Sequence, residues 1–181
     1  VASVNQWGTV AKTLGGDNVN VTSIINSTNV DAHDYEPTTS DIAKLQKAQV
    51  IIVNGAGYDA WAVKAAQSAN ATIVNAAAVG GVNDGENPHV WFSADVRKAV
   101  AQAITEAYEQ ADAAKKSDFD KLHDQWKSEE NNVESKIAEV KQKSDGLAYA
   151  ATESVASYLA EDMGLTDATP SGYARATANE S

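Results

Sequence analysis

Ala48-Gln49-Val50-Ile51-Ile52-Val53-Asn54-Gly55-Ala56-Gly57 is an unbroken apolar run closed by a glycine-rich turn. Four successive β-branched residues, Val50 to Val53, favour an extended chain. Because polar residues do not alternate with them, both faces of the strand must be covered, as in a parallel sheet with helices on each side. Upstream, Val19-Asn20-Val21-Thr22-Ser23-Ile24-Ile25 is short and β-branched, and Val1-Ala2-Ser3-Val4-Asn5 reads as the inside of another strand. Downstream, Ala71-Thr72-Ile73-Val74-Asn75 repeats the pattern. Helices are expected between the strands over 6–14, stopped by Gly15-Gly16, over 39–47, following Pro37 with Thr38 or Thr39 as cap, and over 58–68. Strand-helix-strand repetition with short links predicts right-handed crossovers and an α/β fold built on a parallel sheet flanked by helices.

The texture changes at Ser93. An Ala-rich helix is expected over 94–110, with Val96, Val100, Ile104 and Tyr108 on one stripe. Ser117, with Asp120 three positions on, is then expected to cap a long helix whose apolar residues are Phe119, Leu122, Trp126, Val133, Ile137 and Val140. Running to about Lys143 and ended by Gly146, that helix would be roughly 40 Å long at 1.5 Å per residue. The βα rhythm then restarts, with a strand over 147–152 and a helix over 154–163 closed by Gly164. The implied organisation is a first lobe over 1–112, a long spanning helix over 113–145, and the incomplete beginning of a second α/β lobe over 146–181. The opening residues show neither an initiator Met nor a signal peptide, as expected of a processed or trimmed chain.

Composition narrows the function. A formal net charge of −11 argues against nucleic acid, whose phosphates need a Lys/Arg surface, and suits attraction of cations. With no cysteine, neither a disulfide framework nor a thiolate metal site is possible. No apolar run approaches the roughly 20 residues needed to cross a bilayer.

The three histidines differ in kind. His33 lies in Asn29-Val30-Asp31-Ala32-His33-Asp34-Tyr35-Glu36-Pro37, just beyond a strand end, and His89 lies in Asn87-Pro88-His89-Val90-Trp91, after a Gly-rich loop that follows another strand end. Open α/β sheets bind ligands outside the carboxyl ends of their strands, so two imidazoles from such loops can converge there as metal ligands. His123 sits off the apolar stripe of the long helix and is expected to face solvent. Glu153 falls between the strand over 147–152 and the next helix, where it is either a third ligand or a carboxylate favoured by the helix dipole. Asp31, Asp34, Glu36 and Asp84 are candidate outer-shell acceptors or plain solvated charges.

His33-Asp34-Tyr35-Glu36-Pro37-Thr38-Thr39-Ser40-Asp41, Asn54-Gly55-Ala56-Gly57-Tyr58-Asp59, Asn87-Pro88-His89-Val90-Trp91 and Glu153-Ser154-Val155-Ala156-Ser157-Tyr158-Leu159-Ala160 occur in an order and at separations that are familiar together. They resemble the metal-specific solute-binding proteins of ABC importers, the manganese- and zinc-binding lipoproteins of cluster A-I. The resemblance implies two α/β lobes joined by one rigid helix, with metal held between them by four residues. His33, His89 and Glu153 match three of these, and the fourth, an Asp late in the second lobe, falls beyond this sequence. Glu at the third place resembles the manganese branch. Its harder donor set also suits Mn²⁺ better than three imidazoles would, although Zn²⁺ binds most N/O sites more tightly. The resemblance further implies a monomer outside the cytoplasm, lipid-anchored or periplasmic, that hands Mn²⁺ or Zn²⁺ to the membrane permease of an ABC importer and catalyses nothing. The alternatives are an adhesin-type surface lipoprotein with a structural metal, and a metal-dependent hydrolase with Glu36 or Glu153 as base.

Overall fold

Val50 and Ile52 turn into one core and Ile51 and Val53 into another, so the central strand has no solvent face on which a polar residue would be tolerated. The computed structural model describes residues 1–27, 30, 32, 34–144 and 146–173. Among these, β1 (Ala2–Val4), β2 (Ser23–Ile25), β3 (Val50–Val53) and β4 (Thr72–Asn75) form one sheet in the order β2-β1-β3-β4. All its pairings are parallel, with β3 and β4 aligned from Val50↔Thr72 to Val53↔Asn75.

Helix α1 (Asn5–Gly15) leaves β1 directly. Its Trp7, Ala11 and Leu14 pack with Val50 and Ile52 and with Val96, Val100, Ile104 and Tyr108 of α5 (Ala94–Ala111). On the opposite face, Leu45 of α2 (Thr39–Lys47) and Ala62 and Ala66 of α3 (Ala60–Ala66) cover Ile51 and Val53. The sheet is therefore doubly wound. Its strand order reverses between β1 and β3, and the carboxyl ends of those two strands open the crevice in which such sheets take ligands.

Capping chemistry sets two helix starts. Thr38 and Asp41 form a reciprocal capping box at α2, so Thr38 is the cap and the expected bounds 39–47 hold. The hydrogen bond from Thr38, with Lys44 and Tyr35 adding to it, keeps the Asp41 carboxyl well below the usual carboxylate range. At the long helix the expectation fails. Asp112 Oδ1 accepts from the Ala114 amide at 3.2 Å, a 3-10 turn spans Ala113–Lys115, and α6 runs Lys116–Ser144 without using Ser117 as cap. Its 29 residues span about 43 Å.

The buried face of α6 also departs from the sequence reading. Phe119, His123, Trp126, Glu130 and Ile137 are buried, whereas Val133 and Val140 are 47% and 41% exposed. At 100° per residue, His123 lies about 40° to one side of Phe119, and Val133 about 40° to the other. Helix α5 packs on the His123 side, because Arg97 reaches across to the Glu130 carboxylate and Lys98 to Glu134 at 2.9 Å. His123, expected to be solvated, is thus only 7% exposed, with Trp126 beside it at 6.3 Å between ring centroids.

Beyond α6, β5 (Ala148–Tyr149), α7 (Ser157–Asp162) and β6 (Thr166–Asp167) make a separate parallel β-α-β unit. The strand is shorter than the expected 147–152. The helix starts three residues later than expected because the chain first turns, with the Ser157 amide donating to the Ser154 carbonyl at 3.1 Å. Among the described residues no helix is long and apolar enough to cross a membrane.

Two predictions follow from local geometry. Gly55, Ala56 and Gly57 all have positive φ (77°, 50° and 83°), and a Cβ on Gly55 would lie 2.1 Å from Asn75 Oδ1. That oxygen accepts from the Ala78 amide to cap α4 (Ala76–Val79). A Cβ on Gly57 would meet nothing within 4 Å. Gly57→Ala should therefore cost only the backbone strain of about 1–2 kcal/mol, and Gly55→Ala about 2–5 kcal/mol once overpacking is added, both measured by urea unfolding. The second concerns His123, whose pKa is lowered by burial and further by Lys127. The unfolded chain then takes up the proton first, so the neutral ring's stabilisation is complete above about pH 6.5 and is lost as pH falls below it. Urea midpoints between pH 7.5 and 5.5 should decline less in His123→Gln than in the parent.

Candidate metal centre

Asn54, the first residue after β3, is fully buried and has every polar atom engaged. Its amide N–H donates to Asp59 Oδ2 at 2.7 Å, and its carbonyl accepts from the Ala77 amide at 2.8 Å. Oδ1 accepts from Trp7 Nε1 at 2.9 Å, while Nδ2 donates to the carbonyls of Gly55 at 3.1 Å and Pro88 at 2.9 Å. Burial pushes the Asp59 carboxyl upward against the two backbone N–H groups, from Asn54 and Gly55, that favour its charged form. The bond to Pro88 fixes the loop that carries His89 at the crevice between β1 and β3.

Half-buried His89 stands in an aromatic wall, with edge contacts to Tyr58 at 5.9 Å and Trp91 at 5.4 Å between centroids. Its tautomer can be deduced. Asn87 has one side-chain end 2.8 Å from the Ser154 carbonyl, which only accepts, so that end is the NH₂ group. The other end faces the His89 backbone N–H at 3.1 Å, which only donates, so that end is Oδ1. His89 Nδ1 lies 2.7 Å from the same oxygen and must carry the proton. The ring lone pair is then on Nε2, the nitrogen with which a neutral imidazole would bind a metal. Asp84, expected as either an outer-shell acceptor or a solvated charge, is exposed, and Asn87 holds the ring.

Glu153 is exposed in the turn between β5 and α7. Its neighbour Ser154 receives the Asn87 amide, and Tyr158 Oη donates to the Asn87 carbonyl at 2.9 Å, so the turn is tied to the His89 loop by two hydrogen bonds. His33 and Asp31 lie outside the described residues. Tyr35 donates to Asp41 Oδ2 at 2.8 Å and packs on Trp61 at 5.0 Å, which ties Tyr35 itself to α2 and α3. Asp34 and Glu36 are exposed. Among the described residues no three His, Cys, Asp or Glu side chains are grouped so as to hold a metal ion. The described part thus brings the His89 and Glu153 loops together.

Sequence reasoning missed Asn54, Asn87 and Arg97. The first two had a readable signal: a polar amide directly after a four-residue apolar strand, and another two residues before a histidine. Arg97 had none beyond its place next to Val96 on an apolar stripe. Besides Glu130, Arg97 donates to the Trp91 carbonyl at 3.0 Å, bracing the far side of the His89 loop against α6.

The chain is thus an open parallel sheet that continues through one long helix into a second β-α-β unit. The structure superposes on the metal-dependent lipoprotein YcdH of Bacillus subtilis with a TM-score of 0.83 at 24% identity, over 94% of this chain and 65% of that one. It is similar to Zn(II)-bound AdcA of Streptococcus pneumoniae at 0.79 and 21%, over 94% of this chain and 38% of that one. The profile of the family "zinc-uptake complex component A, periplasmic" matches residues 1–180, and the chain belongs to that family. Among curated relatives, the iron-binding protein YfeA of Yersinia pestis is 25% identical over 172 residues, 87% of this chain and 54% of that protein. The metal ABC transporter substrate-binding lipoprotein ScbA of Streptococcus cristatus is 27% identical over 128 residues, 62% of this chain and 41% of that protein. The chain spans about half the length of the curated relatives it matches. The family is one of uptake components and not of enzymes, which removes the hydrolase alternative.

Asn54→Leu should strand the Trp7 indole N–H in the interior, whereas the Pro88 carbonyl keeps the Val90 amide at 2.8 Å. The loss should be about 1–3 kcal/mol in denaturant unfolding, the cost of one unsatisfied buried group, with a change in the near-ultraviolet circular dichroism of Trp7.

Proposed function

We propose that this chain is the metal-capturing part of an extracytoplasmic solute-binding protein that delivers a divalent transition metal to the membrane permease of an ABC importer. Its donors are Nε2 of His89, a ring nitrogen of His33 and the Glu153 carboxylate. The observation that carries this reading is the fixed tautomer of His89, which turns a metal-binding lone pair onto Nε2 beside a loop hydrogen-bonded to the Glu153 turn. Asn87 plays toward His89 the part that an outer-shell acceptor plays for a metal-bound imidazole, holding the ring and raising its basicity.

The cargo in this proposal is Mn²⁺ ahead of Zn²⁺. A carboxylate in place of a third imidazole makes the donor set harder, but Zn²⁺ lies above Mn²⁺ in intrinsic affinity, so selection must come from geometry and availability. Relatives carry names with both metals, among them the manganese ABC transporter substrate-binding lipoprotein scaA of Streptococcus gordonii and the high-affinity zinc uptake system protein ZnuA of Bacillus subtilis. A lipid anchor, action as a monomer, and the lobe boundaries at 112 and 145 belong to the same proposal.

Calorimetric titration with Mn²⁺ and with Zn²⁺ tests it. His33→Ala, His89→Ala and Glu153→Ala should each weaken binding by at least the roughly 10–100-fold that loss of an outer-shell partner costs. Three variants that bind both ions as the parent does would refute the assignment.

A further inference from the structure

Two hydrogen bonds that join the His89 loop to the Glu153 turn converge on a single residue. Asn87 Nδ2 donates to the Ser154 carbonyl, 67 positions away in sequence, and the Asn87 carbonyl accepts from Tyr158 Oη, 71 positions away. The remaining polar end of the same side chain, Oδ1, accepts from both the ring and the backbone of His89. One planar amide thus has its acceptor committed to one expected metal donor and its donor committed to the residue after another. Rotating it to spare one contact breaks the other, because the amide is rigid.

We propose that Asn87 is a positioning residue that couples the two halves of the capture site, setting the His89 tautomer and holding the Glu153 turn in register with that imidazole before any ion arrives. The proposal rests on the metal-capture reading for its purpose, but its geometry exists without metal. Only an amide suits the position. A carboxylate would accept from His89 equally well but would set an oxygen against the Ser154 carbonyl, and an aliphatic side chain would do neither.

That difference supplies the test, made on metal-free protein. In Asn87→Asp, the ¹⁵N shifts of the His89 ring should still report the Nδ1–H tautomer. Hydrogen exchange should nevertheless speed up by about 3–10-fold at the Ser157 amide, which bonds the same Ser154 carbonyl, and across the first turn of α7, as expected for loss of one hydrogen bond. In Asn87→Ala the ring should become a tautomer mixture, exchange should accelerate similarly, and Zn²⁺ affinity should fall by about 10–100-fold. Tyr158→Phe should leave the tautomer unchanged. Unaltered exchange in Asn87→Asp, or an unaltered tautomer in Asn87→Ala, overturns the proposal. The isosteric Asp variant decides the tether even if the Ala variant does not fold. Should the parent bind no metal, the capture reading fails while the tautomer and exchange measurements still decide the role of Asn87.

Discussion

The fold and its crevice depend on the complete satisfaction of one buried amide residue. Asn54 ends β3 with no access to water, where each unpaired polar group would cost on the order of 1–3 kcal/mol. Its partners come from α1, from the carboxylate that precedes α3, from α4 and from the His89 loop. These elements can meet only if β1 and β3 are neighbours with parallel ends, so the hydrogen-bond geometry and the strand order enforce each other. The left-handed turn at Gly55, Ala56 and Gly57 follows from the same demand, since the chain must double back at once for Asp59 to reach the Asn54 and Gly55 amides. Ala56 in that conformation is a local strain that the surrounding bonds hold in place.

The parallel sheet was legible in the sequence because its information is local. Four buried residues in β3 leave no polar position, and Thr38 with Asp41 writes the start of α2 in four residues. Where the deciding partner lies far along the chain, legibility fails. His123 looks solvated on its own helix and is buried because Arg97, 33 positions before Glu130, draws α5 toward that side. Val133 and Val140 keep a heptad step from Trp126, but a straight helix drifts about 20° per heptad, and that drift carries them away from α5. The cap at Asp112 was hidden for a simpler reason: Ser117 is as good a cap by type, and only the path of the chain out of α5 chooses between them.

The candidate site divides in the same way. The place of the His89 loop beside the end of β3 could be read from the sequence, since open parallel sheets bind ligands outside their carboxyl ends. The residue that supports the loop could not, because the reading considered only carboxylates near the histidines, Asp31, Asp34, Glu36 and Asp84, as outer-shell acceptors or plain solvated charges. A carboxylate offers acceptors only, while the space beside His89 has an imidazole N–H on one side and a carbonyl on the other. Asn87 is the residue type that answers both. The rule to take from this is that an outer-shell position lying between two loops selects an amide, whereas one lying against a single ring accepts a carboxylate or a carbonyl.

The His89 loop is braced from opposite sides by groups of different character. Asn54 holds Pro88 through neutral hydrogen bonds in the first core, and Arg97 holds Trp91 while paired with the Glu130 carboxylate on α6. A buried ion pair is a poor source of stability, because desolvation of both charges offsets most of their attraction. Its value here is directional. The planar guanidinium fork of Arg97 serves the Glu130 carboxylate on α6 and the Trp91 carbonyl at once, which favours the rotation of α6 that turns Glu130 toward α5. The orientation of the long helix is thereby set by the same loop that orients His89. Because β5 and the turn that carries Glu153 follow α6 in the chain, that turn is linked to the His89 loop twice, once through the helix and once through the Asn87 amide.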